Sequence, residues 1–325
     1  MKLHSILLLL AALLTGMALS APLQAQTWPQ KPIRLIVPYP AGGTTDIMSR
    51  VLQPKLGASV GQPVIVENRP GGNGVIGAEI VARAAPDGYT LMLTTSATNT
   101  MLQFTAPSLP YDPIRDFTPI AATGRSRGYI VVHPSLAVAN FRELIDYAKN
   151  HPGKLSYGTP NLASSFHLSG AMISDAAGIH IVHIPYKGGA DVMRGLVSGD
   201  IPMAIISNGS ALPAVNAGKA KLIAVLDNDR DPKWPNVPSV TEFYSDFERP
   251  ADWTGVYAPA RMQRPLVQRL NAEIVAAFNA PDSVERLANV GLIPLSSSPE
   301  QFSAMVLRAV EINRKGVKAA GIKQE

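Results

Sequence analysis

Cysteine is absent from this chain of 325 residues. Its absence excludes disulfide bonds, thiol nucleophiles, thiolate metal sites and a lipid-modified N-terminal cysteine. Charged residues make up only 16% of the sequence and aromatic residues 6%, whereas 46% of the residues are hydrophobic. This composition is typical of a globular protein with large apolar cores. Since no disulfide can contribute, the stability must come from core burial, which a chain of this length can supply.

Several motifs for metals and phosphates are also missing, and so is a clustered basic run that would bind nucleic acid. The sequence contains no H-E-x-x-H, EF-hand or Walker motif, so we expect no metal and no cofactor. His180 and His183 cannot share a metal on a strand, because an odd separation places them on opposite faces. The formal net charge is +5, which would raise the local concentration of anionic ligands. Because the basic residues are scattered, we expect no nucleic-acid partner.

The N-terminal residues 1–25 have the pattern of a secretory signal peptide. Lys2 precedes an apolar run at residues 6–14, which is too short to span a bilayer, and small residues follow it. We predict cleavage near Ala25, or alternatively after Ser20, and export to a bacterial periplasm. Because no later stretch reaches spanning length, we expect no stable membrane insertion after cleavage.

Strands and helices alternate along the remaining chain in two series, which predicts an α/β protein with two mainly parallel sheets. We assign residues 26–123 and 252–325 to a discontinuous first domain and residues 124–251 to a second domain. Ligands of open parallel sheets bind beyond the carboxyl ends of the strands. Two such domains facing each other would bury a ligand in the cleft between them and close about a hinge. We expect the protein to be a monomer.

Capping signals predict where several helices begin and end. A helix is expected at residues 45–56, with Gly57 just past its end, and another at residues 164–177. A capping box is expected at residues 298–301. Residues 95–99 are expected to form a polar loop after a strand.

A buried strand, a tight loop and a helix start are predicted for residues 33–46, which read Ile-Arg-Leu-Ile-Val-Pro-Tyr-Pro-Ala-Gly-Gly-Thr-Thr-Asp. The first amides of a helix have no intrahelical partner, and the helix dipole favours negative charge there. Glycine leaves those amides accessible, so we predict that this loop binds a small anion, most simply a carboxylate. A plain turn is the alternative, and Asp46 could cap its own helix. The predicted ligand contacts are Tyr39, Ala41, Gly42, Gly43, Thr44 and Asp46.

Other loops carry small or hydroxyl-bearing residues where helices begin. Their amides and hydroxyls suit the binding of an organic acid and are poor for bond making. Tyr39 and Tyr186 could flank the carbon skeleton of the ligand. Each loop alone could be a simple cap, and Lys187 could be a solvated lysine rather than a charge partner. The predicted ligand contacts in these loops are Ser96, Asn99, Thr159, Ser164, His167, Tyr186, Lys187, Gly188 and Asn208.

Two glycine motifs favour an enzyme only weakly. Residues 72–77 read Gly-Asn-Gly-Val-Ile-Gly and fit the dinucleotide fingerprint, but the first glycine does not end the preceding strand, and no acid follows the next strand. Residues 124–128 read Gly-Arg-Ser-Arg-Gly, but a nucleophile elbow requires a following helix, whereas a β-branched strand follows here. We interpret this second motif as a crossover between the domains, and we expect no catalytic residue.

Six short motifs stand in order along the chain after the signal peptide. They are Trp-Pro-Gln-Lys-Pro-Ile at residues 28–33, Pro-Tyr-Pro-Ala-Gly-Gly-Thr-Thr-Asp at 38–46, Val-Glu-Asn-Arg-Pro-Gly at 66–71, Pro-Asp-Gly-Tyr-Thr-Leu at 86–91, Pro-Tyr-Lys-Gly at 185–188 and Pro-Asn-Val-Pro-Ser-Val at 235–240. Together they resemble the Bug, or TctC-type, extracytoplasmic solute receptors of tripartite tricarboxylate transporters. The resemblance covers essentially the whole mature chain.

The resemblance implies a two-domain periplasmic binding protein fold, type II-like, with a deep cleft and a carboxylated ligand held partly through ordered water. It implies that the loops at residues 38–46 and 159–167 make the main contacts with the ligand. One departure concerns residues 205–208, Ile-Ile-Ser-Asn, where the family often has an acidic or aromatic strand end. Because of this departure, the resemblance does not indicate the chemical identity of the distal half of the ligand.

We therefore expect a non-enzymatic receptor that captures a mono- or dicarboxylate and delivers it to the membrane subunits of a transporter. A periplasmic sensor that binds the same acid and reports to a membrane kinase of a two-component system is an alternative, because both roles use the same closed state. An α/β oxidoreductase that uses residues 72–77 is a less favoured alternative.

Overall fold

The computed structural model describes residues 28–322, which form two β-sheets with helices on their faces. The predicted signal peptide at residues 1–25 lies outside the described residues. Within the described range, no helix combines the length and the apolar character needed to cross a membrane.

The elements follow one another in three groups. The first group is β1 (Ile33–Val37), α1 (Thr44–Val60), β2 (Val64–Asn68), α2 (Val75–Ala82), β3 (Thr90–Thr95), α3 (Ser96–Thr100), α4 (Leu102–Thr105) and β4 (Phe117–Arg125). The second group is β5 (Gly128–Val132), α5 (Phe141–Asn150), β6 (Ser156–Pro160), α6 (Ser165–Ala177), β7 (Val182–Tyr186), α7 (Gly189–Ser198), β8 (Met203–Ser207), α8 (Asn208–Asn216) and β9 (Lys221–Val225). The third group is β10 (Trp253–Pro259), α9 (Arg264–Asn279), α10 (Pro281–Ala288), β11 (Ile293–Pro294) and α11 (Pro299–Ala319).

Both sheets mix parallel and antiparallel pairs. The first sheet has the order β11-β4-β10-β3-β1-β2, and the second has the order β7-β6-β8-β5-β9. β1 runs parallel to β2 and β3, and β6 runs parallel to β7 and β8. β10 and β5 run antiparallel to both of their neighbours. The α/β class is confirmed, whereas the expectation of mainly parallel sheets is wrong.

β5 and β10 are the strands that the chain enters from the other sheet. β4 ends at Arg125 and β5 begins at Gly128, which pairs with Ser207 at the end of β8. β5 therefore starts at the edge where the parallel strands of its sheet end, and it must run in the opposite direction. β10 begins after the long connection at residues 226–252. Thr254 near its start pairs with Thr95 at the end of β3, so β10 also runs opposite to the parallel strands of its sheet. The chain thus passes from the first sheet to the second at residues 124–128, and the assignment of this crossing to a domain boundary stays a prediction.

Each sheet is buried on both faces. On β1, Leu35 packs with Leu52 of α1 and Leu270 of α9, whereas the adjacent Ile36 faces the opposite core with Phe302 of α11. A strand that is buried on both faces needs apolar residues at successive positions. This requirement explains the continuous apolar run from which β1 was predicted.

The first helix is longer than the sequence predicts. α1 continues past Gly57 to Val60, so the expected end at residue 56 is wrong. Leu56 and Val60 extend the buried face of the helix by one more turn. The left-handed glycine that ends it is Gly61, at φ +76°.

Other local predictions have mixed outcomes. Ser164 caps α6 by accepting a hydrogen bond from the His167 amide at 3.2 Å, as the predicted helix start requires. The capping box of Ser298 and Gln301 is confirmed. Residues 95–99 are not a loop, because Thr95 ends β3 and the residues that follow form the short helix α3. In α3, Thr100 Oγ1 donates to the Ser96 carbonyl at 2.7 Å.

The two connections between the sheets are tied together by buried charges. The carboxylate of Asp227 accepts hydrogen bonds from Arg125 at 2.6 Å, from Arg249 at 3.2 Å and from the Gly128 amide at 3.1 Å. Arg249 also donates to Asp252 at 2.8 Å. The side chains of Asp227 and Arg249 are only 7% and 10% exposed. Because a buried charge is costly without its partner, this cluster fixes where the chain crosses.

We predict that Asp227→Asn lowers the free energy of unfolding by about 3 kcal/mol, because it removes the carboxylate partner of Arg125 and one of the two carboxylate partners of the buried Arg249. Urea denaturation measures this loss. The control is Asp282→Asn, since Asp282 pairs with Lys55 on the surface and its side chain is 73% exposed. The control should change stability little. Equal effects of the two substitutions would contradict the role given to Asp227.

Candidate functional site

A cleft of about 660 Å³ lies between the two sheets, beyond the carboxyl ends of β1, β3 and β6. Tyr39 and Ser96 line it from the first sheet, and residues 160–166 line it from the second. Asp252 of the long connection and Asn313 of α11 complete the lining. A ligand in this cleft would therefore touch both halves of the molecule.

The cleft continues into a second chamber of about 880 Å³. His167 and His183 line this chamber, together with residues 320–322 near the end of the chain. The residues common to the two chambers are Asn73, Leu102, Thr105, Leu162 and Ala163. The loop that follows β6 therefore borders both chambers.

Tyr39 is held in the cleft wall by hydroxyl groups. Its phenol oxygen lies 3.0 Å from Thr95 Oγ1 and 3.0 Å from Thr98 Oγ1. It also donates to the Asn73 carbonyl at 3.4 Å. The tyrosine ring is thus fixed at the cleft, where the sequence analysis placed it.

The glycine loop is exposed at the start of α1. Ala41, Gly42, Gly43 and Thr44 are all exposed, although none of them lines either chamber. The Gly42 amide donates to Asp46 Oδ2 at 3.0 Å, so it already has a partner. The amides of Gly43 and Thr44 have no partner among the described residues. They are the donors in this loop that remain available to an anion.

Asp46 acts on the loop itself. Its side chain accepts hydrogen bonds from Gly42, from Asn68 at 3.1 Å and from Arg50 at 3.2 Å. Burial alone would raise the pKa of Asp46, but these hydrogen bonds outweigh it and hold the pKa below its usual value. Asp46 is 4% exposed. Its oxygens bind the loop before the helix and do not cap the helix, because no side chain bonds at the N-cap of α1.

The first turn of α6 presents open donors to the cleft. Ser164, Ser165 and Phe166 line it. The amides of Ser165 and Phe166 have no partner among the described residues. At the positive end of a helix dipole, such amides attract a carboxylate.

His167 and His183 form a stacked pair. Their ring centroids lie 3.6 Å apart with an angle of 9° between the planes. His183 Nε2 lies 2.7 Å from Thr159 Oγ1, and His167 Nδ1 accepts from the Ala163 amide at 3.1 Å. Burial lowers the pKa of His167 to about 4. Burial and the neighbouring His167 lower the pKa of His183 to about 4, so both rings are neutral at pH 7.

Several predicted contacts lie behind the cleft surface. Thr159 is fully buried under His183. Asn99 is fully buried, and its Nδ2 donates to the Pro113 carbonyl at 3.2 Å. Asn208 accepts from the Arg127 amide at 3.2 Å, which ties α8 to the crossover. The structure does not bring these side chains into either chamber.

The loop after β7 also differs from the expectation. The ring of Tyr186 packs so closely on Gly158 and Gly195 that a Cβ on either glycine would lie 3.1 Å or less from it. The ring therefore faces α7 and not the cleft. Lys187 and Gly188 follow it and line neither chamber.

Several residues that line the cleft are not among the predicted contacts, and Asn313, Leu162 and His183 are three of them. Asn313 donates to Thr100 Oγ1 at 2.9 Å, and its Oδ1 is buried without a partner. Leu162 is 63% exposed at the tip of the loop after β6. The sequence analysis assigned His183 no part in ligand binding. The pairing of β6 with β7 brings it against α6, and it lines the second chamber. No local signal marks any of these positions.

The cleft is almost free of formal charge. Among the described residues that line the two chambers there is no lysine or arginine. Asp252 lines the first chamber, but its carboxylate is bound by Arg249 and by the Ser126 hydroxyl. Binding of an anion here must therefore rely on neutral donors.

We predict that the histidine pair makes stability depend on pH. As the pH falls from 6.5 towards 4, the unfolded chain protonates these histidines while the folded chain does not. The free energy of unfolding should therefore decrease across this window. Urea denaturation of the wild type and of the double variant His167→Asn, His183→Gln measures the effect. The other histidines are common to both proteins, so equal pH slopes would contradict the prediction.

The sequence profile described as "Tripartite tricarboxylate transporter family receptor" matches residues 48–322 of this chain. Protein BugT of Bordetella pertussis is 33% identical over 316 residues, covering 97% of this chain and 96% of BugT. The profile and this relative thus span nearly all of the described residues.

Two solved structures have the same fold. A structure of Rpa4515 from R. palustris with adipate has a TM-score of 0.76 and 31% identity, covering 92% of this chain and 100% of that chain. A structure of MatC (Rpa3494) from Rhodopseudomonas palustris with bound malate has a TM-score of 0.72 and 26% identity, covering 89% and 100%. This chain therefore belongs to the receptor family of the tripartite tricarboxylate transporters, the Bug or TctC-type periplasmic solute receptors.

Proposed function

We propose that this protein captures a small mono- or dicarboxylate in the cleft and delivers it to the membrane subunits of a tripartite tricarboxylate-type transporter. The observation that carries this proposal is the cleft of about 660 Å³, lined by loops from both sheets with hydroxyls and open amides. In this proposal the chain is exported by a signal peptide at residues 1–25 and acts as a monomer in the periplasm.

The proposal divides the chain into two moving domains. Residues 26–123 and 252–325 would form the first domain, and residues 124–251 the second. The positions of the two connections between the sheets support these bounds. Closure about the connections would bring the two walls of the cleft onto the ligand.

The donors that we assign to the carboxylate are neutral. The amides of Ser165 and Phe166 begin α6 and face the cleft. Those of Gly43 and Thr44 begin α1 outside the two chambers and would reach the ligand on closure. Helix N-termini stabilise an anion without a buried cation, whose desolvation would add a cost. A site of this kind suits capture and release better than covalent chemistry, which supports a binding role over an enzymatic one.

The solved relatives suggest which acids to test first. Rpa4515 was determined with adipate and MatC with malate. Both ligands are dicarboxylates, and the two chambers of this cleft leave room for a second polar end. Malate, adipate and aromatic carboxylates therefore form the first panel.

We predict that at least one organic acid raises the melting temperature of the mature chain. A ligand that binds only the folded state stabilises it by about 2.7 kcal/mol at about 100 times its Kd. A thermal-shift screen followed by calorimetry measures this effect. If no organic acid binds at millimolar concentration, the proposal of a carboxylate receptor fails.

We predict that Gly42→Val weakens carboxylate affinity about tenfold or more. Gly42 has φ +83°, so a branched side chain would strain the loop and obstruct the neighbouring amides. Gly61→Val is the matched control, because Gly61 ends the same helix at φ +76° with equally open surroundings. Calorimetric titration should show wild-type affinity in the control. Wild-type affinity in Gly42→Val would place the loop away from the ligand.

A further inference from the structure

The loop after β6 holds an unfavourable backbone conformation. Asn161 has φ +67° and Ala163 has φ +57°, both in the left-handed region. Asparagine tolerates this region, whereas alanine has no side-chain contact that offsets the strain. Such strain persists only where surrounding contacts hold it. Between the two strained residues, Leu162 projects into the cleft.

Three hydrogen bonds hold this loop. The Asn161 amide donates to the Tyr186 carbonyl at 2.8 Å. The Asn161 carbonyl accepts from Thr159 Oγ1 at 3.3 Å. The Ala163 amide donates to His167 Nδ1 at 3.1 Å. The last bond is the one that acts directly on the strained alanine.

His167 is itself held in place by its neighbours. Its ring lies flat on His183, and His183 bonds to Thr159. The contacts thus link Thr159, at the end of β6, through the rings of His183 and His167 to Ala163, which lies in the loop that follows β6. Tyr157 packs against His183 at 5.1 Å between ring centroids, which closes the other side of the pair.

The hydrogen bond to Ala163 also determines the tautomer of His167. A ring nitrogen that accepts a hydrogen bond carries no proton, so the proton of the neutral ring lies on Nε2. Nε2 has no partner among the described residues, and His167 lines the second chamber. The ring can therefore hold the loop with one nitrogen and offer a donor to a ligand with the other.

The geometry does not favour a metal at the pair. Parallel rings that are stacked at 3.6 Å direct their nitrogens sideways and not towards a common point. Within residues 28–322 there is no group of three potential ligands that could hold a metal.

We propose that His167 and His183 are positioning residues that hold the 161–163 loop ready for the ligand, and that His167 Nε2–H donates to an acceptor group of the carboxylate ligand. This inference rests on the proposed function. His183 acts through His167, since it has no bond to the loop tip. The pair would make the loop rigid before binding, which lowers the ordering cost of capture.

Three variants of His167 separate its two nitrogens. His167→Asn places its side-chain oxygen, a hydrogen-bond acceptor, near the position of Nδ1 and has no atom at the position of Nε2. Glutamine reaches the position of Nε2 and has no acceptor near Nδ1. Phenylalanine keeps a stacked ring and lacks both nitrogens. The control is His151→Phe, because His151 stacks on Tyr147 at 4.4 Å on the surface, away from the cleft.

The first readout is hydrogen exchange of the Ala163 amide, which needs no ligand. We expect wild-type protection in His167→Asn and in the control, and exchange at least about tenfold faster in His167→Phe and His167→Gln. His183→Phe should give an intermediate rate, because it keeps the stack and loses the bond to Thr159. Equal exchange in all variants would overturn the positioning role.

The second readout is affinity for malate and adipate. We expect His167→Asn to bind about tenfold more weakly than the wild type while its loop stays protected, because it lacks the Nε2 donor. Wild-type affinity in His167→Asn would remove Nε2 from the ligand contacts. If the wild type binds no organic acid at millimolar concentration, the proposed ligand class is wrong, and the exchange rates alone still decide whether the pair holds the loop. If it binds another organic acid, that acid replaces malate and adipate in this comparison.

Discussion

The fold depends on the place where the chain crosses between its sheets. Asp227 binds Arg125, Arg249 and the Gly128 amide, and this buried cluster joins the start of one crossing to the end of the other. Because both crossings lie at the carboxyl ends of the parallel strands, these ends face each other. The loops that follow β1, β3 and β6 then become the walls of one cleft. A single set of ion pairs thus lies where the chain crosses between the sheets, next to the cleft.

The described residues that line the cleft include no lysine or arginine. Its described lining offers helix amides, hydroxyls and neutral imidazoles, and the carboxylate of Asp252 is already paired. Neutral donors leave no unpaired buried charge when the ligand departs, whereas a buried lysine or arginine would. This property is consistent with a receptor of this family, which must release what it captures.

The strained loop and the stacked histidines show how packing supports the site. An alanine at φ +57° is unfavourable in isolation, but the neutral ring of His167 accepts a hydrogen bond from the amide of Ala163. The ring can do so at pH 7 because burial disfavours its charged form. Burial, protonation state and loop conformation are therefore linked in one small region beside the cleft.

The sequence alone determined the α/β class, the crossover at residues 124–128 and the caps at Ser164 and Ser298, because these depend on local hydrogen bonds and apolar spacing. The family followed from the resemblance of six short motifs to a known receptor family. Tertiary structure decided which side chains reach the cleft. The ring of Tyr186 turned inwards because Gly158 and Gly195 leave it space, and His183 met His167 because β6 and β7 pair in one register. Such contacts join residues distant in the chain, so no local pattern encodes them.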